Sequence, residues 1–271
     1  MKQEKSIAAV VVLYNTRIED SNTCNALKNI KNYNINVLIY DNSTKDFGNK
    51  DSCEEKKWIY LGGCGNVGIS RAYNACIEYL QKNSKPNCIC LFDDDTNLDE
   101  EYFECILSSA ADKKSGKILV PFIYASGKLI SPCILSKGHI AHRFSSEQEA
   151  LNYSGDRLSA INSCMAIDMS LFDNYRYDEN IFLDGVDHSF LVDMKSQGEK
   201  ITIINYKCKH SFSGVERPPK EAAMARFRIY AKDYAYIFRK NKIAYLMLVG
   251  KRAIRLGLQY KTWDFFFIKE R

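Results

Sequence analysis

The sequence lacks several features that would place it in a specialised class of protein. No segment has the roughly 18 consecutive apolar residues that a transmembrane helix needs, and the apolar stretch Ile7–Tyr14 is too short and has no signal-peptide cleavage site after it. We therefore expect a cytoplasmic protein. The ten cysteines contain no C-x-x-C pair, so a structural zinc site is not expected and most thiols should be reduced core residues. Low-complexity segments and internal repeats are also lacking.

Positive charge is concentrated at the C-terminal end of the sequence. Residues 217–271 contain 14 Lys or Arg and 4 Asp or Glu, a net charge of +10, whereas the whole chain carries +5, so residues 1–216 carry −5. An acidic body with a basic tail indicates that the tail contacts an anionic partner. Nucleic acid is disfavoured as that partner, because the basic charge is confined to the tail.

Short apolar segments alternate with helical patterns over the first half of the chain, which predicts an α/β fold with a largely parallel sheet. After residue 217 the aromatic and aliphatic residues recur at helical spacing in two segments separated near Asn241. We therefore predict a catalytic domain over residues 1–216 and a basic, aromatic-rich helical extension over residues 217–271. The predicted strands are Ile7–Tyr14, Asn36–Tyr40, Trp58–Leu61, Cys88–Phe92 and Ile201–Asn205, and the predicted helices are Asp20–Lys31, Val67–Gln81, Asp184–Gln197 and one that Asp99 caps and that ends at Ala111.

Three adjacent carboxylates, Asp93, Asp94 and Asp95, directly follow a predicted buried strand. They repel one another unless a cation or hydrogen-bond donors offset the charge. Ligands bind at the carboxyl ends of strands in such sheets, and Mg²⁺ or Mn²⁺ is usually held by one or two carboxylates plus substrate phosphates. A solvated acidic turn is the other interpretation.

The turn from Gly62 to Gly68 is rich in glycine and precedes a helix. Small residues let backbone amides approach a phosphate at a helix N-terminus. Gly63, Gly65 and Gly68 also match G-x-G-x-x-G, which opens an NAD-binding interpretation with Asp93 as the ribose acid. However, that fingerprint normally lies in the first βα turn, and here it follows the third strand.

Asp184 and Asp187 lie three residues apart at the start of a predicted helix. Either residue could simply cap the helix. Two acids beside one cavity could also supply a general base. Asp41 follows a strand, where it could form an Asx turn or accept a hydrogen bond from a nucleobase, and His210 could be structural or a third metal ligand.

Taken in order, these segments resemble inverting glycosyltransferase family 2, which has the GT-A fold. The resemblance covers about residues 7–214 and rests on six segments. Within the family, FLDGVDHSF and the closing aromatic-basic region look most like bacterial rhamnosyltransferases, with galactofuranosyltransferases as near neighbours. The chain departs from many relatives at Ser189 and Asp193, where an acid and an arginine are common. The six segments are VVVLYN (Val10–Asn15), YDNST (Tyr40–Thr44), GNVGISRAYNACI (Gly65–Ile77), LFDDDT (Leu91–Thr96), INSCMAI (Ile161–Ile167) and FLDGVDHSF (Phe182–Phe190).

The resemblance implies a role for each candidate residue. Asp187 would be the catalytic base, with Asp184 as the fallback. Asp41 would contact the pyrimidine base, and Asp93 the ribose or the metal. The remaining nucleotide contacts would be Asn15, Asn66, Arg71 and Asp94, and the metal, Mn²⁺ or Mg²⁺, would be bound by Asp93, Asp95 and His210.

The expected activity is transfer of a hexosyl or deoxyhexosyl unit, with rhamnose as one candidate, from a dTDP- or UDP-sugar. The acceptor would be a saccharide or a lipid-linked oligosaccharide in bacterial surface polysaccharide biosynthesis. The basic helices would hold the enzyme at the inner face of the cell membrane, or alternatively form a homodimer. Two other functions stay open, namely an NAD-dependent oxidoreductase using Gly63–Gly68 and a non-catalytic module that binds a nucleotide sugar or a membrane.

Overall fold

The computed structural model describes residues 6–136, 140–210 and 218–267, with only the backbone of His210. The strands are β1 (Ile7–Leu13), β2 (Ile35–Asp41), β3 (Ile59–Gly62), β4 (Cys88–Phe92), β5 (Thr96–Asn97), β6 (Ile118–Ala125), β7 (Lys128–Ser131), β8 (Cys133–Leu135), β9 (Ala141–Arg143), β10 (Leu158–Ser159), β11 (Met165–Asp168) and β12 (Ile201–His210). The helices are α1 (Asn22–Asn29), α2 (Asn49–Lys56), α3 (Ile69–Asn83), α4 (Glu100–Ala111), α5 (Glu147–Leu151), α6 (Val186–Ser196), α7 (Lys220–Ile237) and α8 (Lys242–Tyr260).

The main sheet has the strand order β3-β2-β1-β4-β11-β6-β12-β5, and β7 pairs with β6. The strands β3, β2, β1 and β4 are parallel, and so are β6 and β12. Strand β11 lies between these two groups and is antiparallel to both of its neighbours. The predicted α/β sheet is therefore confirmed, and the antiparallel strand β11 separates its two parallel parts.

Strand β1 is buried along its whole length, as its continuous apolar run predicts. Because side chains alternate across a strand, Ala8, Val10 and Val12 enter one hydrophobic cluster and the residues between them enter another. Helix α3 covers the first face of the sheet, and α1 and α4 cover the second. The first four strands are thus fixed in parallel, and their carboxyl ends meet at one edge.

One local prediction is wrong, and one helix was not predicted. Asp99 occupies the N-cap position of α4, but its side chain makes no capping hydrogen bond. Helix α2 was not predicted, since only Asn49 and Cys53 in it are buried and it has no apolar stripe. By contrast, Ser21 does cap α1, because its hydroxyl accepts a hydrogen bond from the amide of Cys24 at 3.1 Å.

The C-terminal helices form a third hydrophobic cluster, centred on Phe227 and Phe265. The predicted break near Asn241 is confirmed, and the Asn241 side chain caps α8. The division at residue 216 stays a prediction, since residues 211–217 lie outside the described part. Among the described helices, none has both the length and the apolar character of a membrane span.

Candidate active site

The three aspartates Asp93, Asp94 and Asp95 begin where β4 ends, at the carboxyl edge of the parallel strands. Burial raises the pKa of Asp93 from 3.8 to about 7, and the charges of Asp95, Asp94 and Asp187 add to this effect, while a hydrogen bond with Ser163 opposes it. Four carboxylates therefore share a partly buried region, and their mutual repulsion makes a cation favourable there.

The carbonyl groups of this acidic turn are held by the start of α1. The Thr23 hydroxyl donates to the carbonyl of Asp93, and the Ser21 hydroxyl donates to that of Asp94 at 2.7 Å. The carboxylate of Asp94 accepts a hydrogen bond from the Thr16 hydroxyl at 2.8 Å, although burial still raises its pKa. These hydroxyl groups fix the direction of the turn. These contacts cannot be predicted from the sequence pattern, because the two partners of each bond lie more than 60 residues apart.

Asp41 is buried at the end of β2, and its carboxylate already has protein partners. One oxygen accepts a hydrogen bond from the amide of Ser43 at 3.0 Å, which is the predicted Asx turn. The other accepts from the Asn49 amide group at 2.9 Å. The backbone at Gly62 approaches so closely that a Cβ there would lie 2.2 Å from the carbonyl oxygen of Asp41. The proposed contact of Asp41 with a nucleobase stays a prediction.

The glycine-rich turn is closed by hydrogen bonds within the protein. The three backbone amides that lead into α3 all donate to protein oxygens, so a phosphate would have to displace these oxygens to reach them. This arrangement disfavours the dinucleotide-binding interpretation. The bonds are Val67 to Asn42 Oδ1 (2.8 Å), Gly68 to Asn66 Oδ1 (3.1 Å) and Ile69 to the carbonyl of Phe182 (2.7 Å).

Two further nucleotide-contact candidates lie in different surroundings. Asn15 has a left-handed backbone, with φ of 53°, and its side chain accepts hydrogen bonds from the amide and hydroxyl of Thr44, both at 3.0 Å. It therefore ties the end of β1 to the turn after β2. Arg71 is largely exposed on α3 and pairs with Glu179 at 3.3 Å. Neither geometry tests a nucleotide contact, so both stay predictions.

The two acids of the predicted base segment differ in their environment. The carboxylate of Asp184 forms a two-point ion pair with Arg226 of α7, and Arg252 of α8 lies 3.8 Å away. Asp187 lies in the first turn of α6, and its charge contributes to raising the pKa of Asp93. The negative charge of Asp184 is therefore offset by arginine, whereas that of Asp187 acts on the acidic turn.

The residues for a metal ion are only partly defined. In residues 6–136, 140–210 and 218–267, no group of three or more His, Cys, Asp and Glu side chains is arranged to hold a metal. The side chain of His210 lies outside the described part. Its backbone pairs with Thr96, directly after the acidic turn. One or two aspartates of the turn together with a diphosphate would match the usual coordination of Mg²⁺ or Mn²⁺.

No protein-family model matches the sequence, and no curated protein matches it either. Solved structures do match. TarS 1-349 from S. aureus has a TM-score of 0.53 and 13% identity over 85% of this chain and 65% of TarS 1-349. The chain has the GT-A fold of glycosyltransferases.

Two other GT-A structures are similar. The mannosyltransferase PcManGT from Pyrobaculum calidifontis, in complex with GDP-Man and Mn²⁺, has a TM-score of 0.57 and 12% identity over 88% of this chain and 65% of PcManGT. Glucosyl-3-phosphoglycerate synthase from Mycobacterium tuberculosis, in complex with Mn²⁺, UDP and glucosyl-3-phosphoglycerate, has a TM-score of 0.53 and 11% identity over 84% of this chain and 78% of the synthase. This chain thus spans less than two thirds of the length of TarS 1-349 and PcManGT.

Replacing Asp93 by Asn should change stability in a pH-dependent way. Because the folded chain holds the Asp93 proton up to about pH 7 and the unfolded chain only up to about 3.8, the wild type should lose stability relative to Asp93→Asn as the pH rises between these values. Above pH 7 the difference should level off, and Mn²⁺ should stabilise only the wild type. Urea unfolding without and with Mn²⁺ measures this. The control is Asp51→Asn on exposed α2, and a pH-independent difference for Asp93→Asn would contradict the expectation.

Proposed function

We propose that this protein is an inverting, metal-dependent glycosyltransferase that uses a pyrimidine nucleotide-sugar donor. The observation that carries the proposal is the cluster of Asp93, Asp94, Asp95 and Asp187 at the carboxyl edge of a GT-A sheet. The mannosyltransferase structure contains GDP-Man with Mn²⁺, and the synthase structure contains UDP with Mn²⁺, which supports a nucleotide donor and a divalent metal. A hexosyl or deoxyhexosyl unit such as rhamnose is proposed from the sequence resemblance.

The residues of the acidic turn fit a divalent cation. The raised pKa of Asp93 reflects negative charge that has no nearby cationic side chain among its main influences. Asp93 and Asp95, with His210, would hold the metal and the donor diphosphate. When bound, the metal stabilises the charge that develops on the leaving nucleoside diphosphate.

Asp187 is the proposed general base. It lies in the first turn of α6, and its charge acts on Asp93 of the acidic turn. Among the described residues, no arginine forms an ion pair with it as Arg226 does with Asp184. It would accept the proton of the acceptor hydroxyl as this oxygen attacks the anomeric carbon from the face opposite the leaving group, which inverts the configuration. Asp184 would then support the loop through its arginine partners.

Donor binding should depend on both the metal and Asp95. A thermal-shift panel of UDP, dTDP, GDP and NAD, each with and without Mn²⁺, should give the largest stabilisation with UDP or dTDP plus Mn²⁺, because a divalent cation held by the acidic turn would offset the negative charge of the diphosphate. Asp95→Ala should lose this shift, and the exposed control Asp51→Asn should keep it. Stabilisation by NAD alone without metal would instead favour the oxidoreductase.

Asp187→Asn should retain donor binding and lose transfer. General-base catalysis typically contributes about 10²- to 10⁴-fold, so the expected fall in kcat is of that order while the Kd for UDP with Mn²⁺ stays close to that of the wild type. The assay would use radiolabelled or mass-detected transfer from UDP- and dTDP-sugars to a mixture of saccharide acceptors. Asp184→Asn is the matched comparison. A loss confined to Asp184→Asn, with near-normal transfer by Asp187→Asn, would reverse the assignment of the base.

We also propose that α8 binds a membrane surface, where a lipid-linked acceptor of a surface polysaccharide would be available. Eight of the twelve exposed large apolar side chains in the described part lie between residues 243 and 267. Several recur every three or four residues along α8 and so occupy one face of the helix. They are Ile243, Leu246, Met247, Ile254 and Leu258, followed by Trp263, Phe266 and Phe267.

The charge around this apolar face suits an anionic lipid surface. Residues 240–267 contain six Lys or Arg and one acid, Asp264, which pairs with Lys220. An exposed apolar helix face with basic residues beside it is typical of helices that lie in the plane of a membrane interface. Each basic residue near such a surface contributes about 1 kcal/mol. A homodimer through the same face is the competing interpretation.

The double variant Leu246→Gln/Leu258→Gln should bind anionic vesicles at least about tenfold more weakly than the wild type, because burying each leucine in an apolar phase contributes about 1.5–3 kcal/mol. Flotation with phosphatidylglycerol-containing and purely phosphatidylcholine vesicles measures this. Val192→Gln, at an exposed position on α6, is the control and should bind normally. If the wild type floats with neither vesicle but the double variant abolishes self-association in sedimentation, the face is a dimer interface.

A further inference from the structure

A buried carboxylate of the C-terminal extension contacts the catalytic domain. Asp233 lies on α7 and is only 1% exposed. One of its oxygens accepts a hydrogen bond from the amide of Phe182 at 2.8 Å, and the other accepts from the amides of Leu183 at 2.9 Å and Asp184 at 2.8 Å. A buried carboxylate is costly unless donors satisfy it, and here three consecutive backbone amides do so.

The same short loop is held from the opposite side by α3. The carbonyl of Phe182 accepts a hydrogen bond from the amide of Ile69 at 2.7 Å, and the carbonyl of Ile181 accepts from the Ser70 hydroxyl at 2.6 Å. The amide of Phe182 therefore donates to α7 while its carbonyl accepts from α3. The loop is fixed between the helix that follows the glycine-rich turn and the C-terminal extension.

The turn between this loop and α6 leaves little room for movement. Gly185 has a left-handed backbone with φ of 82°, and a Cβ at this position would lie 2.8 Å from the Ile237 side chain of α7. Helix α6 starts at the next residue, and Asp187 lies in its first turn. The backbone amide of Asp184, which Asp233 holds, is therefore only three residues before the proposed base Asp187.

We propose that Asp233 is a positioning residue for the transfer reaction. By holding the amides of residues 182–184, it fixes the start of α6 and keeps the Asp187 carboxylate directed at the acidic turn. The proposal rests on the proposed function, because it takes Asp187 as the base. Asp184, through its ion pair with Arg226, joins α7 to the same loop. The C-terminal extension would thus be part of the catalytic unit.

The variant Asp233→Asn tests this role. Asparagine keeps the size of the side chain, but its NH₂ group would face amide donors and cannot accept from them, so at least one amide of the loop would lose its partner. We expect kcat to fall about 10- to 100-fold, as a displacement of about 1 Å can do, while donor KM and the Kd for UDP with Mn²⁺ stay within about twofold. Hydrogen exchange at residues 182–187 should accelerate, and exchange in β1 and β4 should not. Asp264→Asn, at an exposed acid of the same extension, is the control.

Each outcome supports or overturns the proposal. Unchanged kcat per donor-binding site, or equal losses of kcat and donor affinity, would overturn it. If Asp233→Asn does not fold, Asp233→Glu is the second variant, since it keeps the charge and moves it by one methylene. For Asp233→Glu we expect a smaller fall in kcat, again with little change in donor KM. If the wild type itself shows no transfer, the proposed function fails, whereas unaltered exchange at residues 182–187 in either variant would reject the positioning role on its own.

Discussion

Repulsion between carboxylates at one edge of the sheet is the constraint on which the rest of this structure depends. Asp93, its two neighbours and Asp187 come from segments about 90 residues apart, and their charges together with burial raise the pKa of Asp93 to about 7. A fold gains no stability from such an arrangement without a cation. The arrangement is favourable if a cation binds there, which is why the proposed function includes a divalent metal at this edge of the sheet.

The surroundings of the acidic turn hold it in place without neutralising it. Hydroxyl groups from the start of α1 bond to the carbonyls of Asp93 and Asp94. These contacts fix the backbone, while the Thr16 hydroxyl donates to the Asp94 carboxylate and a hydrogen bond with Ser163 partly stabilises the charge of Asp93. Around Asp184, by contrast, two arginines supply the opposite charge, so the two acids of one short segment have different chemistry.

Sequence patterns predicted the elements that neighbouring residues determine. They did not predict contacts between residues that lie far apart in the sequence. The apolar run of β1, the strand before Asp93 and the break at Asn241 all follow from neighbouring residues, and all are confirmed. The GT-A fold followed from the order of several short motifs. Asp233 gave no signal, because one acid in a helical pattern resembles any solvated residue until the loop that it binds is placed beside it. The roles of Asp41, Asn66 and Arg71 stay predictions, since no nucleotide tests them.

The structure also changes the interpretation of the positive charge in residues 217–271. A net charge of +10 over residues 217–271 favours an anionic partner. Two of those basic residues, the partly exposed Arg226 and Arg252, are paired with Asp184, and Arg252 also lies over the ring of Tyr230 at 3.9 Å. Part of the positive charge therefore stabilises the contact between the C-terminal helices and the loop that contains Asp184. The proposed membrane contact therefore depends mainly on the apolar face of α8, because aliphatic side chains exposed at regular helical spacing form the kind of patch that marks an interaction site.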